Sequence, residues 1–370
     1  MNLLRLRSRL KRHKAGMFLL LAASRIYSFF VKFNESLWNM KILRQCSFNT
    51  RIICFGNITT GGTGKTSVVY MAAKELWRLG VKTIIIMRGY KRKNRKRKVV
   101  ILDKSLSFLE EEAGDEALML HKMLGKTDVP IIVSAGRCLA VKEGLRKFSP
   151  RIILMDDGFQ NFSIKKDFSF LLINSRMDLM SESLLPLGNL REGTEAIKRA
   201  NGIILTHCES APLQGIEELK ISLKSKFPGI KILESMHIPK YLYNPISKEN
   251  VSFHEISECV CLSAIGDPEA FEENVKSTGI KIYQSWKFPD HHYFTEEEFK
   301  TIEMARNQRP IITTFKDYVR FPKNWEKFLR KDVYILIIEI NFLCNDYKTF
   351  MDLLTENNDT TFDTNGIFVR

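Results

Sequence analysis

Gly61-Gly62-Thr63-Gly64-Lys65-Thr66 lies between two stretches of unlike character. Upstream, Ile52-Ile53-Cys54-Phe55 is a short apolar run of the kind that fills a buried strand. Downstream, Ser67 to Trp77 carries its apolar residues at helical spacing. A strand, a glycine-rich turn and a helix opening on Gly-Lys-Thr form a phosphate-binding loop. Glycines let backbone N–H groups converge on phosphate oxygens, and the positive end of the helix adds attraction. Lys65 would reach the β- and γ-phosphates, and the Thr66 hydroxyl would hold Mg²⁺. The usual spacing puts a first glycine where this chain has Thr59. The plainer alternative is a glycine turn before an ordinary helix. The reading adopted is a nucleoside triphosphate cradled by Thr59, Thr60, Gly61, Gly62, Thr63, Gly64, Lys65, Thr66 and Ser67.

A second motif supports the first. In Ile152-Ile153-Leu154-Met155-Asp156-Asp157-Gly158-Phe159-Gln160, four apolar residues end in a carboxylate pair. An aspartate at the carboxyl end of a strand beside a phosphate loop can meet Mg²⁺ and its waters. Either Asp156 or Asp157 could do so, and a plain strand-to-turn Asp-Asp-Gly is the alternative. Asp115-Glu116 opens another helical stretch, where a carboxylate pair also suits simple capping. Further strands read at 81–87, 130–133, 168–173 and 202–206, with helices between. That alternation predicts an α/β fold: a phosphate-loop, mostly parallel sheet with helices on both faces.

The flanks read differently. Residues 1–14 hold six Lys and Arg, and an uncharged run from Ala15 to Ser24 follows, with apolar spacing continuing through Phe33 and Leu37. Ten uncharged residues are fewer than the roughly 20 a bilayer span needs. A signal peptide lacks a clean cleavage context here, and packing on the protein's own core is a further alternative. The preferred reading is a helix lying on anionic lipid. Beyond residue 240 a smaller α/β lobe is expected, with strands at 259–262, 281–283, 310–313 and 333–338. The expected organisation is a membrane-associated helical segment over 1–48, a nucleotide lobe over 49–240, a second lobe over 241–346 and a flexible tail over 347–370.

The 57 Lys and Arg against 42 Asp and Glu leave a net charge of +15, which favours an anionic partner. The basic run at 91–98 is read as a solvated loop, with membrane contact as the functional alternative. No helix-turn-helix, RNP-like pattern or aromatic interleaving supports nucleic acid, and none is expected as a partner. The seven cysteines match neither a zinc ribbon nor a redox CxxC, and free thiols are expected.

Taken in order, the motifs resemble the lipid A 4'-kinase (tetraacyldisaccharide 4'-kinase) family. They are Gly56 to Thr66, Arg88-Gly89-Tyr90, Gly114-Asp115-Glu116, Asp156 to Gln160, and Leu185-Pro186 running to Leu190-Arg191-Glu192. Ser263 to Pro268, Phe288-Pro289-Asp290-His291-His292 and Thr313 to Asp317 follow. The absent first glycine is shared with that family. The resemblance spans roughly residues 15–345. It implies ATP-dependent phosphorylation of the 4'-hydroxyl of a tetraacylated glucosamine disaccharide 1-phosphate, giving lipid IVA in lipid A biosynthesis. The site would be on the cytoplasmic face of the inner membrane, held there by the N-terminal helix. The implied catalytic residues are Asp115 as base, His291 assisting it, and Lys65. Thr66, Glu116, Asp156 and Asp157 are the implied Mg²⁺ set. Arg88, Arg137, Gln160, Arg191 and His292 would border phosphate and substrate, and Lys316-Asp317 would lie near the adenine.

Two departures stand out. Asn161-Phe162 replaces the family's His-Arg, and Gly188-Asn189 replaces its Gly-Pro. A rival reading is a partitioning-type ATPase with a deviant phosphate loop, switching membrane or DNA binding. Thr60 occupies the place of its extra lysine, which counts against it.

Overall fold

The computed structural model describes residues 7, 9–89, 92, 98–104, 110–125, 127–329 and 332–356. Along the chain the principal elements are α1 (Lys14–Asn39), β1 (Arg51–Gly56), α2 (Lys65–Arg78), β2 (Thr83–Met87), β3 (Val100–Leu102) and α3 (Asp115–Met123). Then come β4 (Ile131–Val133), α4 (Arg137–Phe148), β5 (Ile152–Asp156), β6 (Phe168–Asn174), β7 (Gly202–Thr206), α5 (Leu213–Lys226) and β8 (Lys231–Asn244). The remainder is β9 (Glu249–Val251), β10 (Glu258–Ser263), α6 (Pro268–Ser277), β11 (Lys281–Lys287), α7 (Glu296–Ala305), β12 (Ile311–Thr313), β13 (Val333–Phe342) and α8 (Asp346–Thr355).

The apolar runs form the sheet because they are buried on both faces. β1, β2, β5, β6 and β7 are buried almost throughout, as a helix-covered parallel sheet requires. The strand order is β11-β10-β12-β13-β8-β7-β6-β1-β5-β2-β4-β3, with β9 paired to β8. Most pairs are parallel; β3–β4, β8–β13 and β8–β9 are antiparallel. β1 lies between β5 and β6, with Phe55 in register with Asp156. The register brings both acidic and phosphate-loop motifs to one carboxyl edge.

The sequence left β8 unread, and it is the longest strand. Its first part pairs with β7 and its second with β13, so one sheet runs through both lobes. Residue 240, the expected lobe boundary, falls inside it. Alternate residues Leu233, Ser235 and His237 are buried, but the polar pair and Pro239 mask the period-two pattern. Residues 347–355, expected in a flexible tail, belong to helix α8. Phe350, Leu353 and Leu354 recur at i, i+3 and i+4 and bury against the core that includes Phe55 and Phe170. Residues 357–370 and the core of the basic run lie outside the described residues.

The expectation of free thiols is corrected at two positions. Cys46 and Cys138 form a disulfide across 92 residues, with Cα atoms 6.1 Å apart. Cys46 is held by a bridge to Ile164, and Cys138 lies in the first turn of α4. Long separation hid the pair from any spacing argument. Cys54, Cys208, Cys259, Cys261 and Cys344 are free.

Candidate active site

The loop after β1 is built on backbone geometry that only glycine accepts readily. Gly61 and Gly64 have φ of 108° and 68°, and Gly64 caps α2. A Cβ at Gly64 would stand 2.6 Å from His237 Nε2, so the loop also needs glycine for space. Thr59, in the place of the usual first glycine, is buried and forms a bridge with Leu190. The Asn57 side-chain amide donates to its carbonyl at 2.8 Å, which fixes the loop's entry.

Lys65 Nζ lies 3.7 Å from Asp157 and 3.4 Å from Thr63 Oγ1. The Thr66 hydroxyl donates to Asp156 Oδ2 at 3.3 Å. Asp156 is fully buried, and its Oδ1 has no protein partner. Burial and the neighbouring Glu116 and Asp157 carboxylates push its pKa up to about 7, against the pull of Lys65 and Arg137. Burial acts on Asp157 too, but Lys65 and Arg191, the latter 3.2 Å away, hold it below the ordinary range. Arg137 is buried, donates to the Asp156 carbonyl at 3.3 Å, and is brought down to about 10 by desolvation. Arg88, exposed at the end of β2, adds its charge to that of Arg137. Gln160 is committed to the Asn57 carbonyl at 2.7 Å and so braces the loop.

Asp115, at the start of α3, meets His291 Nδ1 at 2.7 Å across 176 residues. Burial opposes ionisation of Asp115, yet the hydrogen bond and charge of His291, with Arg320 and Lys316, hold its pKa down. His291 has a left-handed φ of 65°. His292 takes a different course. Its Nε2 lies 3.0 Å from Glu298, in the capping box of α7, and its ring stacks on Phe288 at 4.8 Å. Lys316 pairs with Asp290 at 3.1 Å, beside His291. Asp317 is fully buried and takes Arg320 at 2.6 Å and the Ala264 N–H at 3.1 Å, pinning the turn after β10.

Two groups lie outside the family's motifs. Arg320 carries no motif signal and acts through Asp317. His207, Glu209 and His237 cluster beside Gly64 with ligand-type atoms within 4.8 Å of one another. The two imidazoles stack at 3.9 Å with planes 6° apart. Imidazole lone pairs lie in the ring plane, so a single ion cannot sit in both planes. Burial and the neighbouring His207 bring the His237 pKa down to about 3, which keeps this ring neutral.

A phosphate loop, an acidic strand end and an Asp–His pair on one sheet edge define a phosphotransferase of the phosphate-loop nucleotide-binding class. Comparison with known proteins sharpens this. The family model described as tetraacyldisaccharide-1-P 4'-kinase matches residues 17–358. The tetraacyldisaccharide 4'-kinase of Elusimicrobium minutum is 39% identical over 342 residues, covering 92% of this chain and 91% of that protein. That of Aquifex aeolicus is 32% identical over 303 residues, covering 81% and 89%. A crystal structure of LpxK from Aquifex aeolicus in complex with ATP superposes with a TM-score of 0.73 at 27% identity, covering 94% of this chain and 99% of that one. The chain belongs to the tetraacyldisaccharide-1-P 4'-kinase family. Membership favours the kinase over the partitioning-type ATPase.

Proposed function

We propose that this enzyme transfers the γ-phosphoryl group of ATP to the 4'-hydroxyl of a tetraacylated glucosamine disaccharide 1-phosphate, giving lipid IVA. The observation that carries the reading is the Asp115–His291 contact of 2.7 Å, on the same sheet edge as the phosphate loop. The sugar oxygen attacks the γ-phosphorus, the bond to the β–γ bridging oxygen breaks, and ADP leaves with that electron pair. Asp115, held ionised, accepts the hydroxyl proton, and His291 orients the carboxylate. Lys65 and the loop N–H groups hold the phosphates, and Arg191 and Arg137 offset charge nearby. Arg88, exposed at the end of β2, would border the acceptor. Gln160 serves by bracing the loop, and His292 by fixing the turn that carries His291.

The donor set suits Mg²⁺. Asp156 offers a buried carboxylate oxygen with no protein partner, and the Thr66 hydroxyl and the Asp157 and Glu116 carboxylates stand around it. All are hard oxygen donors. Held by these residues, Mg²⁺ would supply positive charge against that developing on the transferred phosphoryl group.

Helix α1 supports work at a membrane. It is long and apolar enough to cross one, by length and composition. Phe18 and Phe29 are 71% and 64% exposed, while Ser24 and Tyr27 on another face bond to the nucleotide lobe. A helix bound to the lobe through residues 24–38 with its apolar face exposed fits an interfacial anchor on the cytoplasmic face of the inner membrane, next to anionic lipid. The test is γ-labelled ATP with purified disaccharide 1-phosphate lipid in detergent. Label in the lipid is expected. Nucleotide hydrolysis stimulated by DNA, with unlabelled lipid, would overturn the proposal.

A further inference from the structure

One face of α1 is stitched to the nucleotide lobe. The Ser24 hydroxyl donates to the Leu184 carbonyl at 3.0 Å, and the Tyr27 hydroxyl to the Arg191 carbonyl at 2.9 Å. Glu35 takes Arg199 at 2.8 Å, and the Trp38 ring stacks on Phe162 with centroids 6.4 Å apart. Residues 24, 27, 35 and 38 recur at helical spacing and so lie along one stripe. The contacts end close to the phosphate loop. The Arg191 N–H donates to the Ile58 carbonyl at 2.7 Å, and the Thr60 N–H to the Asn189 carbonyl at 2.7 Å.

Arg199 is the centre of this attachment. Its guanidinium carbon lies 4.8 Å from the Phe159 ring centroid and 4.6 Å from that of Phe162. One end of the fork reaches Glu35, and the other reaches the buried Glu192 carboxylate. A planar cation between two rings, with a carboxylate at each end, is held in a single orientation. Phe159 continues the run that carries Asp156 and Asp157, and Glu192 follows Arg191, which itself pairs with Asp157 at 3.2 Å.

We propose that Arg199, clasped between Phe159 and Phe162 and paired with Glu35 and Glu192, is a positioning residue through which helix α1 sets Arg191 and the Asp156–Asp157 run against the phosphate loop. Its catalytic consequence rests on the phosphoryl-transfer reading above. Arg199 acts through Phe159 and Arg191 on Asp157, whereas Lys65 lies in the first turn of α2, outside the clasp. Turnover should therefore suffer before nucleotide affinity does, because small misplacements at a distance are costly in the transition state.

The experiment uses the full chain in detergent with saturating lipid, and the variants Phe162→Leu, Phe162→Tyr and Glu35→Gln. Turnover and KM for ATP are measured beside amide hydrogen exchange of residues 183–192. Phe162→Leu and Glu35→Gln should lower kcat about tenfold with little change in KM, and should speed exchange in 183–192. Phe162→Tyr keeps the ring and should restore both. Unchanged kcat and unchanged exchange in Phe162→Leu and Glu35→Gln would overturn the proposal, as would equal losses with Leu and Tyr. If Phe162→Leu fails to fold, Glu35→Gln decides alone. Should the wild type transfer no phosphate to the lipid, the kinase reading falls, and exchange still decides the clasp.

Discussion

Asp156 offers the sharpest test of the site's electrostatics. Its carboxylate is buried with one oxygen unpartnered, and burial with Glu116 and Asp157 lifts its pKa from 3.8 to about 7. A rise of roughly 3 units at 1.36 kcal/mol each amounts to about 4 kcal/mol. The sign follows from proton counting. Between pH 4 and 7 the folded state keeps a proton that the unfolded chain has released, so stability of the metal-free protein falls as pH rises through that window. Above pH 7 the loss is complete and constant. Asp156→Asn has nearly the same shape and does not ionise, so it should be spared this loss. Urea unfolding in EDTA should show the variant matching wild type near pH 4 and exceeding it by up to about 4 kcal/mol at pH 8. Mg²⁺ with nucleotide should narrow the gap by stabilising the wild type. A variant no more stable than wild type at pH 8, or a gap that does not change with pH, would refute the reasoning.

Other predictions follow from the same geometry. Asp115→Ala should lower kcat by about 10²–10⁴-fold with a smaller effect on KM, and near-wild-type turnover would remove Asp115 from the base role. His291 holds the Asp115 pKa down, so in His291→Ala the acid limb of kcat/KM should move to higher pH; a limb that stays put contradicts this. Gly64→Ala combines a positive φ with a Cβ placed 2.6 Å from His237, so calorimetry should find nucleotide binding lost or sharply weakened. Arg320→Met strands the buried Asp317 carboxylate and should cost about 3–5 kcal/mol by chemical unfolding, less when combined with Asp317→Asn. Deleting residues 1–33 should release the enzyme from anionic vesicles while nucleotide still binds, and full vesicle retention would contradict the anchor.

What could be read from sequence was local. The phosphate loop and the Asp156–Asp157 pair are legible because each is a strand, a turn and a few side chains within a dozen residues, and backbone chemistry limits what such a unit can do. Asp115 and His291 are 176 residues apart, and only a family resemblance paired them before the fold brought them within 2.7 Å. β8 escaped because its buried face uses Ser235 and His237 where an apolar alternation would have been visible. α8 escaped because its mostly polar first turn and the polar segment after it mask the apolar residues Phe350, Met351, Leu353 and Leu354. The Cys46–Cys138 bond and the Arg199 clasp are tertiary facts, set by how loops from distant strands meet.

The shared strand β8 has a mechanical consequence. Hydrogen-bonded to β7 at one end and to β13 at the other, it leaves the second lobe no freedom to slide off the first. Its pairing with β13 is irregular at one point, where Pro239 faces Ile338 beside the register shift. His291 rides on the second lobe and Asp115 on the first. The 2.7 Å contact between Asp115 and His291 therefore depends on a strand that neither residue touches.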